Sequence, residues 1–103
     1  MLKVYVCEDD LSQREKITKI IKNYLLMQDL DVEFAWAGED PEKLLNHLME
    51  ANDGHAGLFF LDVDLKTEMN GIALGGQIRK EYPDARIVFV TAHAELTHLT
   101  FFL

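Results

Sequence analysis

What most constrains this chain is how its apolar residues change period along the sequence, from strand-like to helix-like and back again. Val4-Tyr5-Val6-Cys7 is a strand-length apolar run that stops at three acids, Glu8-Asp9-Asp10. Ile17, Ile20, Ile21, Tyr24 and Leu25 then recur at the spacing of one helix face. Val32, Phe34 and Trp36 alternate with Glu33, Ala35 and Ala37, which predicts a second strand. Asp40-Pro41 supplies an N-cap and a proline at the first helical position, and Leu44, Leu45, Leu48 and Met49 form that helix's stripe until Asn52-Asp53-Gly54 breaks it. Leu58-Phe59-Phe60-Leu61 is a continuous apolar run ending at Asp62, the signature of a strand buried on both faces.

The stretch from Val63 to Asn70 is polar and aperiodic, so it reads as a loop. Asn70 can cap a third helix from about Gly71 to Glu81, closed by Tyr82-Pro83-Asp84. The Gly75-Gly76 pair weakens that helix intrinsically, and a close approach to the sheet would explain it. Ile87-Val88-Phe89-Val90 predicts another buried strand ending at Thr91, and Glu95 to Leu103 predicts a last, apolar helix.

Strands alternating with helices imply an α/β fold, a doubly wound parallel sheet with helices on both faces. With 103 residues there is room for one domain, burying roughly 60–70% of its unfolded surface. No repeat or linker divides it. Abundant Leu, Ile, Val and Phe and only two prolines exclude a disordered chain. No apolar run approaches the ~20 residues a membrane helix needs, and the N-terminus has no signal-peptide pattern, so a cytoplasmic protein is expected.

Charge narrows the partners. Eighteen Asp and Glu against ten Lys and Arg give a net charge of −8, so this segment is expected to bind no nucleic acid. The single cysteine, Cys7, excludes an internal disulfide and reads as a small buried hydrophobe. The four histidines (His47, His55, His93 and His98) show no metal-ligand spacing, and Trp36 and Phe34 read as packing residues. No phosphate-binding glycine loop or nucleophile elbow is present.

In open parallel sheets, ligands collect beyond the carboxyl ends of the strands. Three predicted strands end there on polar residues: Glu8-Asp9-Asp10, Asp62 and Thr91. The second ends on Ala37-Gly38, which carries no chemistry. Each acid alone could be a helix cap or a loop residue, as Asp10, Ser12, Asp64, Glu68 and Asp84 are expected to be. Convergence of several carboxylates would raise their pKa values unless a cation intervenes. Hard oxygen ligands without His or Cys suit Mg²⁺.

Cys7-Glu8-Asp9-Asp10, the strand ending in Asp62, Asn70-Gly71 eight residues later and Val88-Phe89-Val90-Thr91-Ala92 together resemble the receiver domain of bacterial response regulators. The stretches from Asp62 to Ile72, Gln77 to Lys80 and Thr91 to Thr97 look closest to the AgrA/LytTR-type peptide-quorum-sensing and bacteriocin regulators. The resemblance implies a flavodoxin-like (βα)5 receiver spanning 1–103, with the fifth βα unit and its phosphate-pairing lysine lying beyond Leu103. It also implies a LytTR-type DNA-binding domain downstream. Asp62 would be the phosphoacceptor, and Glu8, Asp9, Asp62 and the Asp64 backbone carbonyl would hold Mg²⁺. Thr91 would hydrogen-bond the phosphoryl group, beside a small Ala92. A sensor histidine kinase would be the donor and a homodimer the activated form. The chain would then be a switch rather than an enzyme.

Two other readings fit parts of the pattern. Asp62-Val63-Asp64 is also similar to the nucleophile motif of haloacid-dehalogenase phosphatases, although Lys66 stands where that family has Thr or Val. A non-phosphorylated interaction module on the same fold would need none of Asp9, Asp62 and Thr91.

Overall fold

A computed structural model describes residues 2–27, 32–51, 57–65, 69–93 and 98–102. Its organising strand is β1 (Leu2–Cys7), which pairs in parallel with β2 (Val32–Gly38) on one side and with β3 (Gly57–Asp62) on the other. β3 in turn pairs in parallel with β4 (Arg86–His93). The first three strands and β4 are joined through α1 (Leu11–Met27), α2 (Pro41–Ala51) and α3 (Gly71–Glu81). The resulting sheet order, β2-β1-β3-β4-β5, is that of a doubly wound fold whose chain reverses direction at β1.

The expected last helix is not there. Residues 98–102 form β5 (His98–Phe102), antiparallel to β4, with Thr91 opposite Thr100 and His93 opposite His98. The physical reason is backbone pairing. A helix on 95–103 would leave the outer edge of β4 with unsatisfied N–H and C=O groups, whereas a hairpin pairs them. The Thr and Phe content of the segment also suits a strand. The four strands expected from the sequence are all present and parallel; the fifth comes from residues read as helix.

Side-chain alternation on the central strands builds two cores. Tyr5, Cys7, Phe59, Leu61 and Ile87 face α2 and α3 and pack with Leu44, Leu48, Leu74 and Ile78. Tyr5 and Phe59 stack with ring centroids 4.6 Å apart. Val4, Val6 and Val90 face the other way, onto Ile17, Ile21 and Leu25 of α1. One helix cannot cover that face. Leu58, Phe60 and Val88 are only half-buried, while Ile20 and Tyr24 are 42% and 62% exposed. β3 is therefore fully buried on one face and partly on the other, and the α1 stripe is narrower than its spacing implied. Met49 of the α2 stripe is likewise exposed.

Helix ends follow the sequence. Asp10 Oδ1 accepts from the Gln13 N–H at 3.0 Å, Asp40 Oδ1 from Glu42 at 2.9 Å, and Asn70 Oδ1 from Ala73 at 2.8 Å. Arg79 donates to the carbonyls of Pro83 and Ala85, closing the turn from α3 into β4. No helix among the described residues is long and apolar enough to cross a membrane.

Candidate functional site

The carboxyl ends of β1 and β3 are adjacent because the two strands are paired, with Cys7 opposite Leu61. The next residue on each chain is an acid, so Glu8 and Asp9 come to lie beside Asp62. Carboxylate oxygens of these three lie within 4.8 Å of one another, the one such group found among the described residues. Glu8 is 3% and Asp62 8% exposed, with Asp9 half-buried, so two of the three acids are withdrawn from solvent.

Hydrogen bonds fix Glu8 and Asp62. The Glu8 N–H donates to the Gly38 carbonyl at 2.9 Å, tying the end of β1 to the end of β2. The Glu8 carbonyl accepts from Arg14 of α1 at 2.8 Å. Past β3 the chain turns at once. The Asp64 N–H donates to Asp62 Oδ1 at 3.1 Å, and Val63 N–H donates to the Val90 carbonyl at 3.0 Å. The Gly71 N–H at the start of α3 donates to the Val63 carbonyl at 3.2 Å.

Gly71 has a steric role that sequence reasoning missed. A Cβ there would sit 1.8 Å from the Asp62 carbonyl oxygen, so the first turn of α3 rests directly on the backbone of the candidate nucleophile. Asn70-Gly71 could have signalled this, since a glycine placed just inside a helix start has no propensity reason to be there. Of the other glycine pair, Gly75 does provide the anticipated close approach, since a Cβ there would sit 2.9 Å from the Phe89 ring of β4, while Gly76 faces open space.

Electrostatics carry the imprint of crowding. Glu8 is pushed up to about 9, first by burial, then by its hydrogen bond with and the charge of Asp62, then by Asp9. One of its oxygens, Oε2, is buried with no hydrogen-bond partner. Burial also pushes the Cys7 thiol up to about 12, helped by Asp40, Glu8, Asp62 and Asp9, so it stays a neutral core group. A site that traps a proton and orphans a carboxylate oxygen, built from oxygen donors alone, fits a hard divalent cation such as Mg²⁺.

The remaining predicted residues stand further out. Asp64 lies in the turn after β3 with its side chain exposed. The register opposes Asp62 to Val90, so Thr91 is the next residue along β4 at the same sheet end; its side chain is outside the described structure, as is that of Ala92. His55, Lys66 and Glu68 fall outside the described residues altogether. His47 lies edge-on to Tyr5, at 6.2 Å between ring centroids. Trp36 packs on the first core and Phe34 on the second, as packing residues do.

Comparison with known proteins bears on family and fold. Over 100 residues the chain is 48% identical to accessory gene regulator protein A of Staphylococcus epidermidis and 46% identical to that of Staphylococcus aureus. Each alignment covers 97% of this chain and 41% of the relative, so the chain spans less than half the length of the curated relatives it matches. Its fold is similar to that of the isolated REC domain of RcsB from Salmonella enterica serovar Typhimurium, solved with phosphomimetic BeF3-. The TM-score is 0.68 at 20% identity, covering 89% of this chain and 62% of that one. It is also similar to the response regulator StyR, with a TM-score of 0.61 at 28% identity, covering 94% and 43% of the two chains. The response regulator receiver domain family matches residues 4–103, and this chain belongs to it.

Proposed function

We propose that this chain is a Mg²⁺-dependent phosphoacceptor, with Asp62 taking a phosphoryl group from a sensor histidine kinase and thereby switching a transcriptional regulator. The observation that carries the reading is the convergence of Glu8, Asp9 and Asp62, with ligand atoms within 4.8 Å of one another at the ends of two paired strands. A pure scaffold would replace such a cluster with neutral residues, because mutual repulsion opposes folding.

In the proposed reaction an Asp62 carboxylate oxygen attacks the donor's phosphorus in line. A new O–P bond forms and the donor's bond to phosphorus breaks, its electron pair leaving with the donor group. Asp62 becomes an acyl phosphate. Phosphoryl transfer asks for little covalent help, so positioning and charge compensation dominate. The Asp64 N–H, 3.1 Å from Asp62 Oδ1, orients the carboxylate. The start of α3 fixes the Asp62 backbone from behind through Gly71. Glu8, Asp9, Asp62 and the Asp64 carbonyl would hold Mg²⁺, which supplies the positive charge needed beside an incoming dianion. Thr91 would donate its hydroxyl to the new phosphoryl oxygens, biasing the β4 end between two arrangements. The downstream output would be a LytTR-type DNA-binding domain in a cytoplasmic regulator, with a homodimer as the activated form. In this reading turnover is not the output; a changed surface is.

The test is intact-mass spectrometry after incubation with acetyl phosphate, with and without Mg²⁺. A gain of one phosphoryl group that needs Mg²⁺ and disappears in Asp62→Asn supports the reading. An adduct that persists in Asp62→Asn refutes the assignment of the acceptor. Multiple turnover on a small phosphoester would favour an aspartate phosphatase instead.

A further inference from the structure

The acidic site is not the chain's one charged feature. α1 carries four of the ten Lys and Arg residues (Arg14, Lys16, Lys19 and Lys22) but only one of the 18 Asp and Glu, Glu15. In a molecule of net charge −8 this makes one helix a positive stripe on a negative body. Three of those cations, Arg14, Lys19 and Lys22, line a cleft of about 520 Å³ between α1 and β2, with Glu15 as the single acid in its lining and Ala37 at its β2 wall, so cations outnumber acids there by three to one.

Two of the three are held in place. Arg14 spends one guanidinium N–H on the Glu8 carbonyl at 2.8 Å, which leaves most of its five donors for other acceptors. Lys22 Nζ sits 5.1 Å from the centroid of the Phe34 ring, an attraction that orders its long side chain over the cleft. Anchoring of this kind lowers the ordering cost a bound partner would otherwise meet. Neither contact neutralises the charge. Among the described residues β2 is an edge strand of the sheet, paired with β1.

We propose that the α1–β2 cleft is a docking surface for an acidic, extended peptide segment of a partner protein. The cations fix the class of partner by charge, and their arrangement fixes its shape. From Arg14 to Lys22 the helix advances ~12 Å at about 1.5 Å per residue, a distance that about four residues of extended chain span. Charges strung out in that way match successive carboxylates, whereas a free phosphate would need donors converging on one point. Small Ala37 leaves space for a backbone to lie against β2. The surface involves none of the carboxylates of the candidate phosphoacceptor site, so either assignment can fail without the other.

The experiment is fluorescence anisotropy with a labelled oligoglutamate peptide at low ionic strength, using oligoglutamine and inorganic phosphate as competitors. Wild type is compared with Lys19→Glu/Lys22→Glu and with Lys43→Glu/Lys80→Glu, which changes net charge equally on exposed positions of α2 and α3. The cleft variant is expected to lose about tenfold in affinity, as reversal of two exposed charges facing the same peptide implies, while the other variant keeps most of it. Oligoglutamine should not compete. Equal losses in the two variants would reduce the effect to overall charge and overturn the proposal. So would wild-type protein that binds no oligoglutamate, or displacement of the peptide by phosphate at equal charge concentration.

Discussion

Gly71→Ala is the substitution that most directly tests how the candidate site is built. The new Cβ would start 1.8 Å from the Asp62 carbonyl oxygen, against 3.4 Å or more for ordinary contact, so the two backbones must part by over an ångström. Neither is a flexible side chain. Overpacking of this kind costs about 1–3 kcal/mol. The 3.2 Å bond from the Gly71 N–H to Val63 would lengthen or break, for about 1 kcal/mol more. Together these come to about 3 kcal/mol, which for a domain of this size lowers Tm by about 10–25 °C. The internal control is Gly76→Ala. Nothing lies within 4 Å of a Cβ at Gly76, so this exposed helical position should gain about 0.5–1 kcal/mol and a few degrees in Tm. Thermal melts followed by circular dichroism read both. Acetyl phosphate labelling of the surviving Gly71→Ala protein should also slow, because the helix start abuts the acceptor's own backbone. If Gly71→Ala melts within a few degrees of wild type, the close packing of α3 on Asp62 is wrong.

Asp62→Asn should abolish phosphoryl labelling and raise Tm in metal-free buffer, since it removes one of three crowded carboxylates; calorimetry in EDTA reads the second effect. For Glu8 the folded carboxyl lies at about 9, above its ordinary 4.5, so its stabilising state is the protonated one. Metal-free stability should therefore be fully present below pH ~4.5 as far as Glu8 goes and fall as pH rises towards 9. Glu8→Gln should flatten that fall in denaturant titrations, and Mg²⁺ should raise Tm more at pH 8 than at pH 6. Tyr82→Phe deletes a 3.4 Å bond from the buried hydroxyl to the Leu48 carbonyl; at that length the loss should be under about 1 kcal/mol by urea unfolding.

Much of this architecture was legible because the alternation of period is strong. Val4–Cys7 and Leu58–Asp62 could hardly be anything but buried strands, and Asp40, Asn70 and Asp10 cap helices through the expected local bonds. Glu8, Asp9 and Asp62 could be joined on paper because a parallel sheet delivers the carboxyl ends of neighbouring strands to one edge. Residues 98–102 were misread because local pattern cannot see that β4 lacks an outer neighbour; a tertiary demand for backbone partners decided their state. Gly71 escaped for a related reason. Its constraint is a contact with Asp62 across the loop; a glycine just inside a helix start hints at some close approach but does not say to which residue. The tie from Arg14 to the Glu8 carbonyl is another such contact, six residues apart and invisible to a reading of local period.

The interior position of β1, between β2 and β3, has a bearing on how the molecule forms. Both its neighbours follow it in the chain, β2 from residues 32–38 and β3 from residues 57–62. Non-local parallel pairing of this kind is intrinsically slow, because chain closure must precede any reward. The acids at the tip of β1 meet Asp62 only when β3 docks, so the electrostatic opposition built into the site falls on a late step of assembly. A nascent chain thus carries its reactive edge in two separate halves, and the chemistry comes into existence together with the sheet.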